Sequence, residues 1–162
     1  MKLKNTTILA LINQGLQSTT EHDVPVKDAY KAIRFRAAVD KANKDIGEKR
    51  NELVKSAGIE DGQKFDERMK ELRAIQEPTE EQKQELSGMQ EKLKKFEDLY
   101  KELLNDESEL EGVKAMPYES YHILAKENKA VKIPGTEVSI DLFSVFAGEL
   151  DGVLWEAPKE EE

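Results

Sequence analysis

The 162 residues suffice for one domain with a core but not two comfortable ones, and a 38% hydrophobic, 36% charged composition suits helices that each bury a single stripe. The absence of cysteine excludes disulfides and thiolate zinc sites. The net charge of -9 is uneven: residues 25 to 58 hold nine Lys/Arg against five Asp/Glu, and residues 97 to 162 hold six against seventeen, an acidic balance that argues against general nucleic-acid binding.

The first residues, MKLKNTTILALINQGL, place two lysines before an apolar run, but Asn13, Gln14 and Gln17 interrupt it and no small-residue cleavage site follows. Ile8, Leu9, Leu11, Ile12 and Leu16 instead fit a short amphipathic helix capped by Asn5 or Thr6. No stretch approaches the roughly 20 apolar residues that cross a bilayer, so a soluble chain without a membrane partner is expected. Pro25 then favours a helix start near residues 25 to 28, and Gly58 supplies a left-handed stop after residue 57. This long helix, 25–57, carries Ala32, Val39, Ile46 and Leu53 at seven-residue spacing, with Gly47 as an interior weak point.

A shorter helix over 61–77 aligns Phe65, Met69, Leu72 and Ile75 and ends at Pro78. Thr79 and Gln82 match a capping box that opens a helix over 79–105. Its heptad rows, Leu86, Leu93, Tyr100 and Met89, Phe96, Leu103, form the seam of a helix that packs on another. Leu93 and Phe96 are expected to be buried against the face that carries Val39, Ile46 and Leu53. Asp106 to Glu111 reads as an acidic connector, and Gly112 to Met116 as extended. Pro117 opens a helical turn through Tyr118, Tyr121, Ile123 and Leu124 that Asn128 closes. Val131, Ile133, Val138 and Ile140 flank a turn at Pro134 and Gly135, which predicts two short strands. The segments 141–148 and 152–155 are the most hydrophobic windows. The expected fold is thus mainly α: a long antiparallel, coiled-coil-like helical hairpin with a small mixed α/extended lobe. Residues 1–105 are expected to form the helical body, 106–157 the C-terminal lobe packed on the hairpin base, and 158–162 an acidic tail, all within one cooperative domain.

No glycine-rich phosphate loop and no serine nucleophile motif occurs. His22 and His122 stand a hundred positions apart; Glu119 precedes His122 by one turn, but two ligands fall short of the three or four that a transition metal needs. The glutamate pairs read as solvated helix faces, which lack the desolvation that acid/base catalysis requires. No enzyme activity, cofactor or metal is expected. Half of the ten aromatic residues, Tyr118, Tyr121, Phe143, Phe146 and Trp155, lie in the last 45 positions, where they make either a core or a protein-interaction surface.

The segments LKNTTILALINQGL, VPVKDAYKAIRFRAAVDKANKDIGEKRNELV and IPGTEVSIDLFSVFAGELDGVLW, with a charged hairpin between the second and third, together resemble a family of small helical proteins encoded by tailed phages and prophages. The resemblance is one of element order and apolar spacing over nearly the whole chain. It implies an accessory or structural protein that binds another viral protein in assembly or in the particle; the alternative is a host-directed binder that inhibits a bacterial defence or regulatory protein. Either would act in the host cytoplasm or the virion, with self-association open and no catalytic residues to carry over. The acidic run from Asp106 to Glu111 departs from the family pattern.

Overall fold

The computed structural model describes residues 1–13, 25–121, 131–132, 139–140 and 147–156. Leu16, His22, His122, Ile123, Leu124, Asn128, the Pro134–Gly135 turn, Phe143, Phe146 and the tail lie outside them. The chain forms two compact units, residues 1–45 with 106–162, and residues 46–105. Helix α2 (Val26–Ser56) contributes residues to both.

In the first unit the chain begins with strand β1 (Lys2–Lys4), which pairs antiparallel with β2 (Glu107–Glu109). The register sets Lys2 opposite Glu109 and Lys4 opposite Glu107, so both outer cross-strand pairs bring unlike charges together, while period-two alternation buries Leu3, opposite Ser108, between the two exposed lysines. The stretch expected to be an acidic connector is therefore a strand. Its partner lies a hundred residues upstream, and nothing in its local composition, Glu-Ser-Glu, favours a strand. Asn5 closes this junction. Its backbone N–H donates to the Asp106 carbonyl at 2.9 Å, and its side-chain Oδ1 accepts from the Ser108 hydroxyl at 2.6 Å. Helix α1 (Asn5–Asn13) follows directly and buries Thr7, Ile8 and Leu11 along one face.

Helix α2 starts where proline permits, with the Pro25 carbonyl accepting from the N–H groups of Asp28 and Ala29. In this unit its buried face carries Phe35, Val39 and Ala42, spaced for a single stripe. The C-terminal part of the unit has β3 (Met116–Pro117) beside β6 (Trp155–Glu156) in parallel, and β4 (Val131–Lys132) antiparallel to β5 (Ser139–Ile140). Between β5 and β6 lies the short helix α5 (Ala147–Leu150). The extended elements expected on either side of Pro134 and Gly135 are present, with Val131 opposite Ile140.

The second unit is helical throughout. The end of α2 is a complete Schellman stop: Gly58 has φ of +80°, its N–H donates to the Lys55 carbonyl, the Ile59 N–H donates to that of Val54, and Ile59 is buried. Gly47, by contrast, sits inside the same helix with open space where a β-carbon would stand. The two glycines should respond to alanine with opposite signs. Gly58→Ala forces a side chain into the left-handed region at a cost of about 1 to 2 kcal/mol, whereas Gly47→Ala gains up to about 1 kcal/mol of helix propensity. Urea denaturation of the two variants measures both.

Helix α3 (Gly62–Ala74) is capped by Asp61, whose carboxylate accepts from the N–H groups of Lys64 and Gln63, each at 3.1 Å. It stops earlier than residue 77 and buries Met69 and Leu72, with Phe65 and Ile75 half-buried beside them. The Lys64 backbone bond, foremost, holds the Asp61 carboxylate below its usual range. Because the folded value is the lower one, the cap's contribution is complete above the unfolded pKa and disappears as pH falls through the folded value. Acid titration followed by circular dichroism should therefore show α3 fraying below about pH 4, and Asp61→Asn should remove that component.

Helix α4 (Glu80–Asn105) opens with the expected capping box: the Thr79 N–H donates to Gln82 Oε1 at 2.9 Å, and the Gln82 N–H donates to Thr79 Oγ1 at 3.3 Å. Two successive partners run antiparallel along it. Arg68 on α3 makes a bidentate pair with Glu85, both contacts at 2.8 Å, and further along Lys95 Nζ donates to the Ser56 carbonyl while Arg50 of α2 lies over the rings of Phe96 and Tyr100 at 5.8 and 5.9 Å. The long helices α2 and α4 pack together as expected, but the register differs. With Arg50 beside Phe96 and Tyr100, and Lys92 against Gly58, Leu93 lies level with the turn that ends α2. The seam is also drier in expectation than in fact: Leu86, Met89, Leu93, Phe96 and Tyr100 are half-buried, and only Leu103 of the two rows is buried. A helix covered by one layer of partners leaves one side of its apolar stripe open to water.

Candidate interaction surface

The aromatic residues singled out from sequence divide three to two. Tyr118, Tyr121 and Trp155 come together within the first unit, and Phe143 and Phe146 lie outside the described residues. Two short backbone devices hold the cluster. Met116 donates its N–H to the Leu154 carbonyl at 2.8 Å and stands in register with Trp155, which fixes where the chain enters the helical residues 118 to 121. After α5 the chain reverses at Gly152, whose φ of +70° and N–H bond to the Trp155 carbonyl form the turn that delivers Trp155 to β6. Met116, Leu150 and Leu154 are the buried floor of this junction.

On that floor the Trp155 ring meets Tyr118 edge-on, with centroids 5.0 Å apart at 63°, and stacks on Tyr121 at 5.8 Å and 27°. Tyr118 and Tyr121 approach to 6.2 Å. Both geometries are those that aromatic quadrupoles favour. Burial grades across the cluster: Tyr121 is buried, Trp155 is half-buried, and Tyr118 remains 39% exposed. The three rings thus form one stack with a buried inner ring and an exposed outer one. Glu119 and Glu156 adjoin Tyr118 and Trp155 in sequence, Asp151 is bridged to Trp155 through the backbone, and all three are exposed, which gives the patch an acidic border.

Behind the patch sits a group that sequence reasoning missed. Ser120, between the two tyrosines, donates its hydroxyl to Asp28 Oδ2 at 2.8 Å, and Asp28 is 1% exposed. The other carboxylate oxygen lies 3.2 Å from Lys31 Nζ without hydrogen-bond geometry. Asp28 carries a helix-start signal in the sequence, but nothing local pairs it with a serine 92 positions away. A second tie, between Lys41 and Glu111 at 2.9 Å, is exposed; the mutual hydrogen bond holds the Glu111 carboxylate below its usual range and raises the Lys41 ammonium.

Among the described residues no three His, Asp or Glu side chains gather as a metal site, and no helix is long and apolar enough to cross a membrane. A hollow of about 610 Å³ in the second unit is floored by Ile59, Phe65 and Met89, and its Arg68 and Glu85 are already committed to each other. Comparison with protein-family models, with curated proteins and with solved structures yields no match.

Proposed function

We propose that this chain is a non-catalytic accessory or structural protein of a tailed phage or prophage, and that it works through protein–protein contacts made at Tyr118, Tyr121 and Trp155. Phe143 and Phe146, also singled out from the sequence, lie outside the described residues. The observation that supports this reading most is the graded stack itself. Two rings are fixed by packing, and the third stays open at the surface, which is how aromatic anchors are presented at interface hot spots, with little conformational entropy left to lose. The acidic border of Glu119, Asp151 and Glu156 suits a partner with basic residues around an apolar socket. The phage context rests on the sequence resemblance.

The test compares affinity capture by the tagged wild-type chain and by Tyr118→Ser in phage-producing cells, with purified virions analysed in parallel. Tyr118 is the right handle because its exposed ring can be removed without emptying a core site. Loss of the captured partner at unchanged helicity supports the surface, and presence of the chain or its partner in virions supports the particle role. Capture of a bacterial protein, with the chain absent from virions, would favour a host-directed binder. Equal capture by both chains would contradict the reading.

Nucleic acid is not the proposed ligand. Of the nine cations on α2, Lys31 pairs with Asp28, Arg36 with Asp40 and Lys41 with Glu111, which lowers the positive charge the helix can offer a phosphate backbone. Gel-shift titration at low salt should give no complex at micromolar protein, and a salt-sensitive shift abolished by neutralising Arg34, Arg36 and Lys41 would overturn this exclusion.

A further inference from the structure

Helix α2 carries a second apolar stripe that stays exposed among the described residues. Val26, Tyr30 and Ile33 are 86%, 53% and 42% exposed, and they are three of the five large hydrophobic side chains exposed among the described residues. Ala37, also exposed, continues the row. Their spacing of four, three and four residues defines one helical face over about 16 Å, or three turns. At about 100° per residue this face centres about 180° from the buried row of Phe35, Val39, Ala42 and Ile46. A helix with apolar stripes on opposite sides is built to be covered on both.

The charges beside the stripe say what kind of cover fits. Lys27 and Arg34, seven residues apart, line one flank, and among the described residues no carboxylate pairs with either. Arg34 is fixed in place: its Nε donates to the Tyr30 hydroxyl at 2.8 Å, and its guanidinium lies 5.2 Å from that ring's centroid. The opposite flank is neutralised by the Arg36–Asp40 pair at 2.9 Å. An antiparallel pair of identical helices would set Lys27 and Arg34 against their own copies, which like-charge repulsion opposes. A phosphate backbone makes no use of Val26 or Ile33 and needs more free cations than two.

We infer that the Val26, Tyr30, Ile33 and Ala37 face of α2 is a docking site for an amphipathic helix of a partner protein, apolar at the same spacing and with carboxylates on the flank that meets Lys27 and Arg34. This is helix-on-helix recognition read from one side. It stands on α2 alone and does not require the aromatic surface.

The probe is a fluorescein-labelled synthetic helix with leucines at i, i+4 and i+7 and glutamates along its flanks, beside a control in which lysines replace the glutamates. Anisotropy titration with the full chain should show the glutamate peptide bound about ten-fold or more tightly than the control, and Tyr30→Ser with Ile33→Ser should weaken it by about ten-fold. Arg34→Glu, which leaves the apolar row intact, should abolish the preference and keeps the test decisive if the double variant fails to fold. Equal binding of the two peptides by the wild-type chain, or a preference undiminished in these variants, overturns the inference. So does a concentration-dependent dimer of the wild type that Tyr30→Ser abolishes, which would give the face to a second copy, or equally strong binding of a labelled DNA duplex.

Discussion

Phe35→Ala is expected to destabilise the chain by about 3 to 5 kcal/mol, the range for truncating a buried phenylalanine to a cavity. Phe35 is 1% exposed and heads the buried face of α2 in its unit, with Val39 one turn on at 0%. Whole domains have net stabilities of only about 5 to 15 kcal/mol, so the loss is a large fraction of what holds the unit together. The same helix supplies the control. Tyr30→Ala, on the opposite face, should change the unfolding free energy measured in urea by no more than about 0.5 kcal/mol, as surface substitutions do. A similar loss in both variants would mean that the open stripe is covered after all.

Removal of the Asp28 carboxylate is the second large expected effect. Its bond to Ser120 is buried on both sides, and a hydrogen bond to a charged group is worth about 1.5 to 3 kcal/mol. Asp28→Ala also strands the Ser120 hydroxyl and removes the carboxylate from the first turn of α2, where the helix dipole favours it. Ser120→Ala should be damaging too, because it leaves the buried carboxylate with only the partly exposed Lys31. A double-mutant cycle isolates the pair: the combined variant should cost clearly less than the sum of the singles, and strict additivity would show that the two side chains do not interact.

Those parts of the fold that depend on neighbouring residues were legible in the sequence. The start of α2 at Pro25, its stop at Gly58 and the reciprocal Thr79–Gln82 box all rest on backbone groups satisfied within a few positions, so the chemistry is written locally. Contacts between distant residues were not legible. The β1–β2 ladder, the Ser120–Asp28 bond and the parallel pairing of Met116 with Trp155 join segments whose composition says nothing of each other. Heptad spacing in α4 correctly gave a helix that packs on a helix, yet spacing cannot tell a seam covered from one side from one enclosed on all sides, and Leu93 and Phe96 are half-buried. The aromatic density near the C-terminus pointed to Tyr118, Tyr121 and Trp155 without dividing inner ring from outer. The open stripe on α2 had a visible signal, Val26, Tyr30 and Ile33 at helical spacing, which the stronger row through Val39 and Ile46 obscured.

The sole tryptophan gives a direct view of the aromatic stack proposed as the partner-binding surface. Biosynthetic replacement of Trp155 with 5-fluorotryptophan yields a protein with a single ¹⁹F resonance at the middle of the stack. Addition of the protein captured by the wild-type chain should shift that resonance or broaden it in proportion to the complex formed, as Tyr118 becomes covered and the ring's half-exposed side loses water. A resonance that stays unchanged while sedimentation shows the complex fully formed would place the binding surface elsewhere on the chain.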